Sequence, residues 1–535
     1  MVEPVRKNFL TRMTRIDFLS SEWGAAGATA LLLILAFPNF EYYLLAWIAL
    51  VPILVAIAKR PSPLRAFILG WAAGSVFFYV TCYWLTYSMI HYGGLPAPLA
   101  YLLLIPGALV VGIFPGLFAL LVALVVQRWG RMAILLAPVF WAAFEWARLE
   151  VTGQLWNALG YSQAYHAMLI EAATWGGVYA VSFLIVAINS AVALVIISRT
   201  KLSIAAAIVI TFTAFILNDS SEPAMQESYI REPERVVNVV AVQPNVPMNP
   251  VKSVEETKAL IERHVSLSTK GLATLGDAQG SRLVIWPESP MNFTYASDHV
   301  LQEFVANFAR QNHTSLLFNS LEPAPNDGSY NSALLVNEEG RLIAQYDKIR
   351  LMPFGEYVPL PQWLPGASLI SGIVGEFTPG SNYTLMPFGD RKAGVFICIE
   401  SAYPWIARRL THEGAGVLIN VSNDGYLGPT AVMRQHLANA IFRAVENGRP
   451  VLRVTNTGLT ALISVEGEVN DLTGPFQPDV RVWKNYAEQR RDTFYLRHGD
   501  LFVQICAVLT LITFVAVIRR KSLDRIYKIF QGRQD

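Results

Sequence analysis

The chain has 535 residues, 53% of them hydrophobic and only 15% charged, where a water-soluble protein carries about a quarter charged residues. A net charge of +2 excludes the strongly basic surface of a nucleic-acid binder. The charge deficit is local: residues 1–221 and 498–535 are mostly apolar, and 222–497 are composed like an ordinary globular domain.

A helix needs about 20 apolar residues to cross the hydrocarbon core of a bilayer. Taken in chain order, the runs of this kind are 23–37, 42–58, 66–88, 98–126, 132–148, 172–198 and 202–218, with an eighth at 500–518. The first lacks a small-residue cleavage site and reads as a retained span. Basic residues mark the cytoplasmic side of such bundles. They occur at Arg6, Lys7, Arg12 and Arg15, at Lys59, Arg60 and Arg65, at Arg128 and Arg131, at Arg199 and Lys201, and through the tail from Arg519 to Arg533. The intervening loops 89–97 and 149–171 carry no Lys or Arg. All basic segments share one side only with seven spans before the polar domain and one after it. That topology predicts about eight spans and an extracytoplasmic polar domain against the outer leaflet. Within the spans, Glu145 and Arg148 are spaced i, i+3 to pair with each other. Trp156–Gln163 reads as an interfacial aromatic belt or a headgroup or peptide contact.

The polar domain alternates short β-branched runs with amphipathic patterns. Strands are expected at 236–242, 283–286, 316–318, 333–336, 342–346, 394–399, 417–421, 451–454 and 461–465, and helices at 252–275, 298–312, 403–412 and 430–447. This is an α/β domain with helices covering its sheets, and in such folds reactive groups collect just past strand ends.

Three residues sit at such places. Glu288 follows Trp286-Pro287, where the proline fixes the backbone and an indole would lower the local dielectric around a general base. Lys348 follows the second strand of a hairpin, and Cys398 ends the run Val395-Phe-Ile-Cys398. Alone, each has a bland reading: a strand-end cysteine is commonly a small core residue, and most lysines are solvated. Together they complement one another. A thiol is mostly protonated at neutral pH; a carboxylate can take its proton and an ammonium favours the thiolate. The ammonium and the backbone N–H of Ile399 can also stabilise a tetrahedral oxyanion. Cys82 and Cys506 lie in apolar runs, so Cys398 has no disulfide partner in its domain. No CxxC or HExxH motif occurs, and neither metal nor cofactor is expected.

In order and approximate spacing, Trp-Pro-Glu288, Asp-Lys348, Pro-Phe-Gly-Glu356-Tyr357-Val-Pro359 and Ile-Cys398-Ile399-Glu400 resemble the motifs of the carbon–nitrogen hydrolase (nitrilase) superfamily. Joined to seven preceding spans and one following, they resemble the bacterial apolipoprotein N-acyltransferases. The resemblance implies a nitrilase-like αββα sandwich with Glu288 as base, Lys348 as oxyanion partner and Cys398 as nucleophile. Glu356 would orient the lysine, and Glu400 would be a further functional acid. It also implies a ping-pong reaction in the bacterial inner membrane, with the catalytic domain periplasmic. A phospholipid, phosphatidylethanolamine by resemblance, would acylate Cys398, and the α-amine of a diacylglyceryl-cysteine on an apolipoprotein would accept the chain. The protein would act as a monomer. The chain departs from the pattern at Ile399, where relatives often carry tyrosine, and in having a single aromatic, Tyr426, after Asn423-Asp424.

Residues 359–376 contain Trp363, Leu369 and Ile373 between prolines and glycines. With Tyr357 they read as a membrane-facing lid or as a loop packed on the domain. Two other readings are a membrane-tethered amidase using water, and a receptor or transporter whose outer domain does no chemistry.

Overall fold

In a computed structural model, the described residues are 22–219, 236–249, 252–325, 328–353, 355–357, 377–486 and 490–531. Among the described residues, five helices are long and apolar enough to cross a membrane: Pro63–Thr81, Ala97–Trp129, Arg131–Thr152, Ala173–Ser198 and Leu501–Arg519. Glu22–Ala36, Tyr43–Lys59 and Lys201–Thr213 are shorter apolar helices. Each expected run therefore contains a helix, and 66–88 is broken, its end forming a separate helix Leu85–His91. Small residues let the backbones of Pro63–Thr81 and Ala97–Trp129 approach closely; a Cβ on Gly70 would lie 2.6 Å from the Pro115 carbonyl. Leu102, Val110, Ile208, Phe212, Leu511 and Ile512 are exposed on these helices, the surface of a membrane protein.

Glu145 and Arg148 do not form the expected pair. Glu145 accepts from the Trp141 indole at 2.9 Å and the Leu159 N–H at 2.7 Å, while Arg148 donates to the Trp156 carbonyl at 2.6 Å. Both charges satisfy the backbone of the 156–163 loop. That loop is buried rather than an interfacial belt, because it packs beneath the polar domain.

The described residues of the polar domain form two six-stranded sheets. The first has the order β12-β1-β2-β3-β4-β5, with β1 Val237–Gln243, β2 Ser281–Ile285, β3 Ser315–Pro323, β4 Ser329–Val336, β5 Leu342–Asp347 and β12 Asp479–Tyr486. The second has the order β11-β10-β9-β8-β7-β6, with β6 Leu385–Phe388, β7 Arg391–Ile397, β8 Val417–Ser422, β9 Val451–Thr455, β10 Ala461–Ile463 and β11 Val469–Asn470. β1, β2 and β3 run parallel, as do β7, β8 and β9.

Period-two alternation sorts the side chains between layers. Val237, Val239 and Ala241 of β1 meet Val395, Ile397, Ile419 and Val454 of the other sheet. Val240 and Val242 point the opposite way, into the core beneath helices Val254–Leu275 and His299–Asn312. Ser253 starts the first of these with a capping box to Glu256. On the second sheet's outer face lie Pro404–His412 and Val432–Asn447, whose apolar residues continue into the bundle core. The layers are helix, sheet, sheet, helix.

Val432–Asn447 is buried at every residue but Arg434, because the sheet covers one side and the bundle the other. Gln435 accepts from the indoles of Trp84 (2.9 Å) and Trp156 (2.7 Å) and donates to the carbonyls of Thr81 and Pro38. Arg434 pairs with Glu41, and Arg443 with Glu446 at 2.7 Å.

Candidate active site

Parallel strands leave their C-terminal ends on one edge, and the site is built there. β2 ends at Ile285 and delivers Glu288. β5 ends at Asp347 and delivers Lys348. β7 ends at Ile397 and delivers Cys398. The antiparallel register pairing Ser332 with Asp347 sets Asn331 beside Lys348, and the Lys348 N–H donates to the Asn331 carbonyl at 2.8 Å.

Lys348 is 1% exposed. Its Nζ lies 2.9 and 2.8 Å from the two Glu356 oxygens and 3.5 Å from Glu288 Oε1. Burial works against the ammonium, but the carboxylates of Glu356 and Glu288 outweigh it and hold the lysine well above its ordinary value. Glu356 is fixed in turn by the Met352 N–H at 2.7 Å. Asn331 bridges both acids, its amide donating to Glu356 Oε1 at 2.7 Å and Glu288 Oε1 at 2.9 Å, while its carbonyl oxygen accepts from Asn319 at 2.7 Å. The Asn423 N–H completes the grip on Glu288 Oε2 at 3.1 Å. The Trp286 indole turns away from this cluster. It donates to Ser268 at 2.9 Å and lies against His264 and Phe308, so it lines the outer core and not the surroundings of Glu288 that the sequence suggested.

Cys398 has a left-handed backbone, φ +52°, which a non-glycine residue adopts at a cost of about 1–3 kcal/mol. It turns the chain from β7 into the 3₁₀ turn Cys398–Ala402, near whose start the Ile399 N–H falls among the groups without an intrahelical acceptor. Burial raises the Cys398 thiol above its ordinary range; the Glu288 charge adds to this and the Lys348 charge opposes it. Cys398 therefore rests as a thiol, and a thiol needs a base to act as a nucleophile.

Glu400 is fully buried and braces the two halves of the site. It accepts from the Ile397 N–H (2.7 Å), the Ile349 N–H (2.6 Å), the Arg350 N–H (3.0 Å) and the Tyr346 hydroxyl (2.9 Å). These bonds tie the end of β7 to the chain just past Lys348. Burial pushes its carboxyl up to about 7, against the pull of those N–H groups and Lys348. A raised folded value means that this group stabilises the protein below its unfolded value of about 4.5 and that the contribution is lost as pH rises through about 7. In thermal unfolding across that window, the stability of the parent relative to Glu400→Gln should therefore fall with pH. A difference flat from pH 4.5 to 7 would contradict the assignment.

For Glu356→Gln, the amide would turn an NH₂ towards Lys348 or Asn331. Loss of one charged hydrogen bond, about 1.5–3 kcal/mol, should lower kcat by about 10–10²-fold while Cys398 stays open to maleimide; unchanged kcat would remove Glu356 from the site.

The sequence-expected Glu288, Lys348 and Glu356 are in contact. Cys398, Ile399 and Glu400 stand at the end of β7, and the electrostatics of Cys398 and Lys348 couple the two groups. Tyr357 is half-exposed and bridges Pro353; Trp363, Leu369 and Ile373 lie outside the described residues. Sequence reasoning missed Asn331 and a buried chain on the other side of Cys398. There Arg453 donates to Asp424 at 2.9 Å, Asp424 lies 2.7 Å from His436 Nδ1, and His436 Nε2 lies 2.9 Å from the Cys398 carbonyl oxygen. One signal was legible: an arginine inside the buried run Val451-Leu-Arg453-Val-Thr requires a buried counter-charge.

Among the described residues no cluster of His, Cys, Asp or Glu could hold a metal ion. The arrangement suits nucleophilic acyl transfer by a thiol, with a carboxylate base and a cationic oxyanion partner.

Residues 29–191 match the apolipoprotein N-acyltransferase N-terminal domain, and residues 238–482 match the carbon–nitrogen hydrolase domain. The chain is 31% identical to the apolipoprotein N-acyltransferase of Geobacter metallireducens over 92% of this chain and 95% of that one. It is 30% identical to that of Allorhizobium ampelinum over 83% of this chain and 85% of that one. An amidase structure from Nesterenkonia sp. aligns at 17% identity and a TM-score of 0.37, covering 51% of this chain and 97% of the amidase. On the near full-length likeness to its relatives, with both domains matched in order, the chain belongs to the apolipoprotein N-acyltransferase family.

Proposed function

We propose that this enzyme moves an acyl chain from a membrane phospholipid, through a thioester on Cys398, to the amino group of a diacylglyceryl-cysteine at the start of an apolipoprotein. The observation carrying this reading is the buried ammonium of Lys348 set between the Glu356 and Glu288 carboxylates, coupled to a thiol at the neighbouring strand end. Glu288 takes the thiol proton as Sγ attacks the ester carbonyl. Lys348 and the Ile399 N–H meet the resulting oxyanion. Collapse expels the glycerol oxygen, which takes the proton from Glu288 and leaves as lysophospholipid. The acceptor amine then attacks the thioester, gives a proton to Glu288, and departs as an amide while the proton returns to the thiol.

We assign the domains as 1–221, 222–497 and 498–535, with eight spans and the catalytic domain on the periplasmic face of the inner membrane. The supports are the positions of the basic segments and the eight apolar helices. Phosphatidylethanolamine is the proposed donor and the monomer the proposed working unit. From its apolar sequence, 359–376 is assigned the task of keeping water from the thioester.

The test uses purified enzyme in vesicles of phosphatidylethanolamine with a labelled sn-1 chain. A diacylated lipopeptide with a free amine should gain the label, and its N-acetylated counterpart should not. Label appearing only as free fatty acid would instead make the protein a hydrolase.

A further inference from the structure

The chain Arg453–Asp424–His436 ends on the carbonyl oxygen of the nucleophile's own peptide, and no step above uses it. His436 is 3% exposed and lies on Val432–Asn447, beside the Trp156 ring at 5.7 Å. Its two ring nitrogens face the Asp424 carboxylate at 2.7 Å and the Cys398 carbonyl at 2.9 Å. A carbonyl oxygen accepts and cannot donate. Asp424 is an acceptor as well: burial would raise it, but Arg453 and His436 hold it below the ordinary carboxylate range. A neutral imidazole carries one N–H and would present a lone pair to one of these oxygens. A ring bearing both protons satisfies both.

The carbonyl of Cys398 and the N–H of Ile399 belong to one planar peptide unit. A donor fixed on that oxygen fixes where the N–H points, and a charged donor polarises the unit so that its N–H donates more strongly. It also holds the left-handed turn at Cys398. The neighbouring residues Arg434 and Gln435 are gripped by Glu41, Trp84 and Trp156 of the bundle, so the ring stands on a clamped helix.

We propose that His436 donates from both ring nitrogens, to the Asp424 carboxylate that Arg453 fixes in place and to the Cys398 carbonyl, and is a positioning residue that orients and polarises the Cys398–Ile399 peptide as an oxyanion donor. This rests on the thioester reading above. A second consequence is a fixed positive charge near the thiol, which otherwise faces Glu288, Glu356 and Asp424 on the acidic side and Lys348 on the basic side.

The full-length enzyme in phosphatidylethanolamine vesicles, with His436→Leu and His436→Gln, tests this. Single-turnover acylation of Cys398 should lose about 10²-fold in rate in His436→Leu, the scale of losing an oxyanion donor, at an unchanged half-saturating lipid concentration. His436→Gln, which can still donate to the carbonyl, should recover part of that rate. Alkylation of Cys398 by iodoacetamide needs no oxyanion donor. It should persist in both variants, with its pH profile moved to higher pH by loss of the charge. Where His436→Leu fails to fold, His436→Gln carries the test through the shifted alkylation profile and a slowed acylation step. Acylation within threefold of the parent, or an unmoved alkylation profile in a folded variant, overturns the proposal. A parent enzyme that forms no thioester would instead overturn the proposed function.

Discussion

Cys398→Ala should fold, insert into membranes and show no acyl transfer. Replacing an activated nucleophile costs on the order of 10⁶-fold in kcat in enzymes whose groups act as a unit, which places the variant below detection. The fold should survive because alanine meets the same backbone demand at φ +52° as cysteine, and only one sulfur atom is lost. Melting should therefore move little while lysophospholipid release and lipopeptide acylation both stop. Cys398→Ser should also be inactive, since burial and the Glu288 charge that already raise the thiol would raise a hydroxyl from a much higher start. Wild-type turnover in Cys398→Ala would show that the acyl chain does not pass through this thiol.

Lys348→Met should damage both stability and catalysis. The side chains are similar in length, but the ammonium now facing both Glu356 oxygens and Glu288 would be gone. Leaving buried charge without its partner costs about 3–5 kcal/mol, and losing the oxyanion partner costs about 10²–10³-fold in rate. The pH dependence has a definite sign. In the parent, the lysine value lies well above 10.5, so its contribution is complete below that pH and is lost only as pH rises through the folded value. Lys348→Met lacks that group and should not show the high-pH loss. A variant as stable as the parent at neutral pH would show that the carboxylates do not depend on the lysine.

The reactive residues were legible in the sequence because each follows a strand, and parallel strands bring their ends to one edge whatever lies between. Apolar runs likewise marked where the helices fall. Partnerships that depend on register were not legible. Asn331 becomes the bridge between Glu288 and Glu356 only because β4 pairs with β5 in the register that sets it beside Lys348. Glu145 and Arg148 have the spacing of a helical pair, yet the backbone of the 156–163 loop supplies both with other partners. Strands β6, β11 and β12 escaped notice for a related reason. They are short or polar edge strands, held by pairing more than by apolar pattern. His436 lay unnoticed in a helix whose burial comes from the bundle on one side and the sheet on the other, a fact of packing that no local periodicity records.

The central claim is a covalent acyl group on Cys398 that passes to an amine. Enzyme incubated with phosphatidylethanolamine bearing an isotope-labelled sn-1 chain, quenched in acid and digested, should yield by mass spectrometry a peptide spanning Cys398 that carries the labelled acyl mass. Adding a diacylated lipopeptide before the quench should move that mass to the lipopeptide's α-amine. An unmodified Cys398 peptide under conditions where the lipopeptide still becomes acylated would contradict the account.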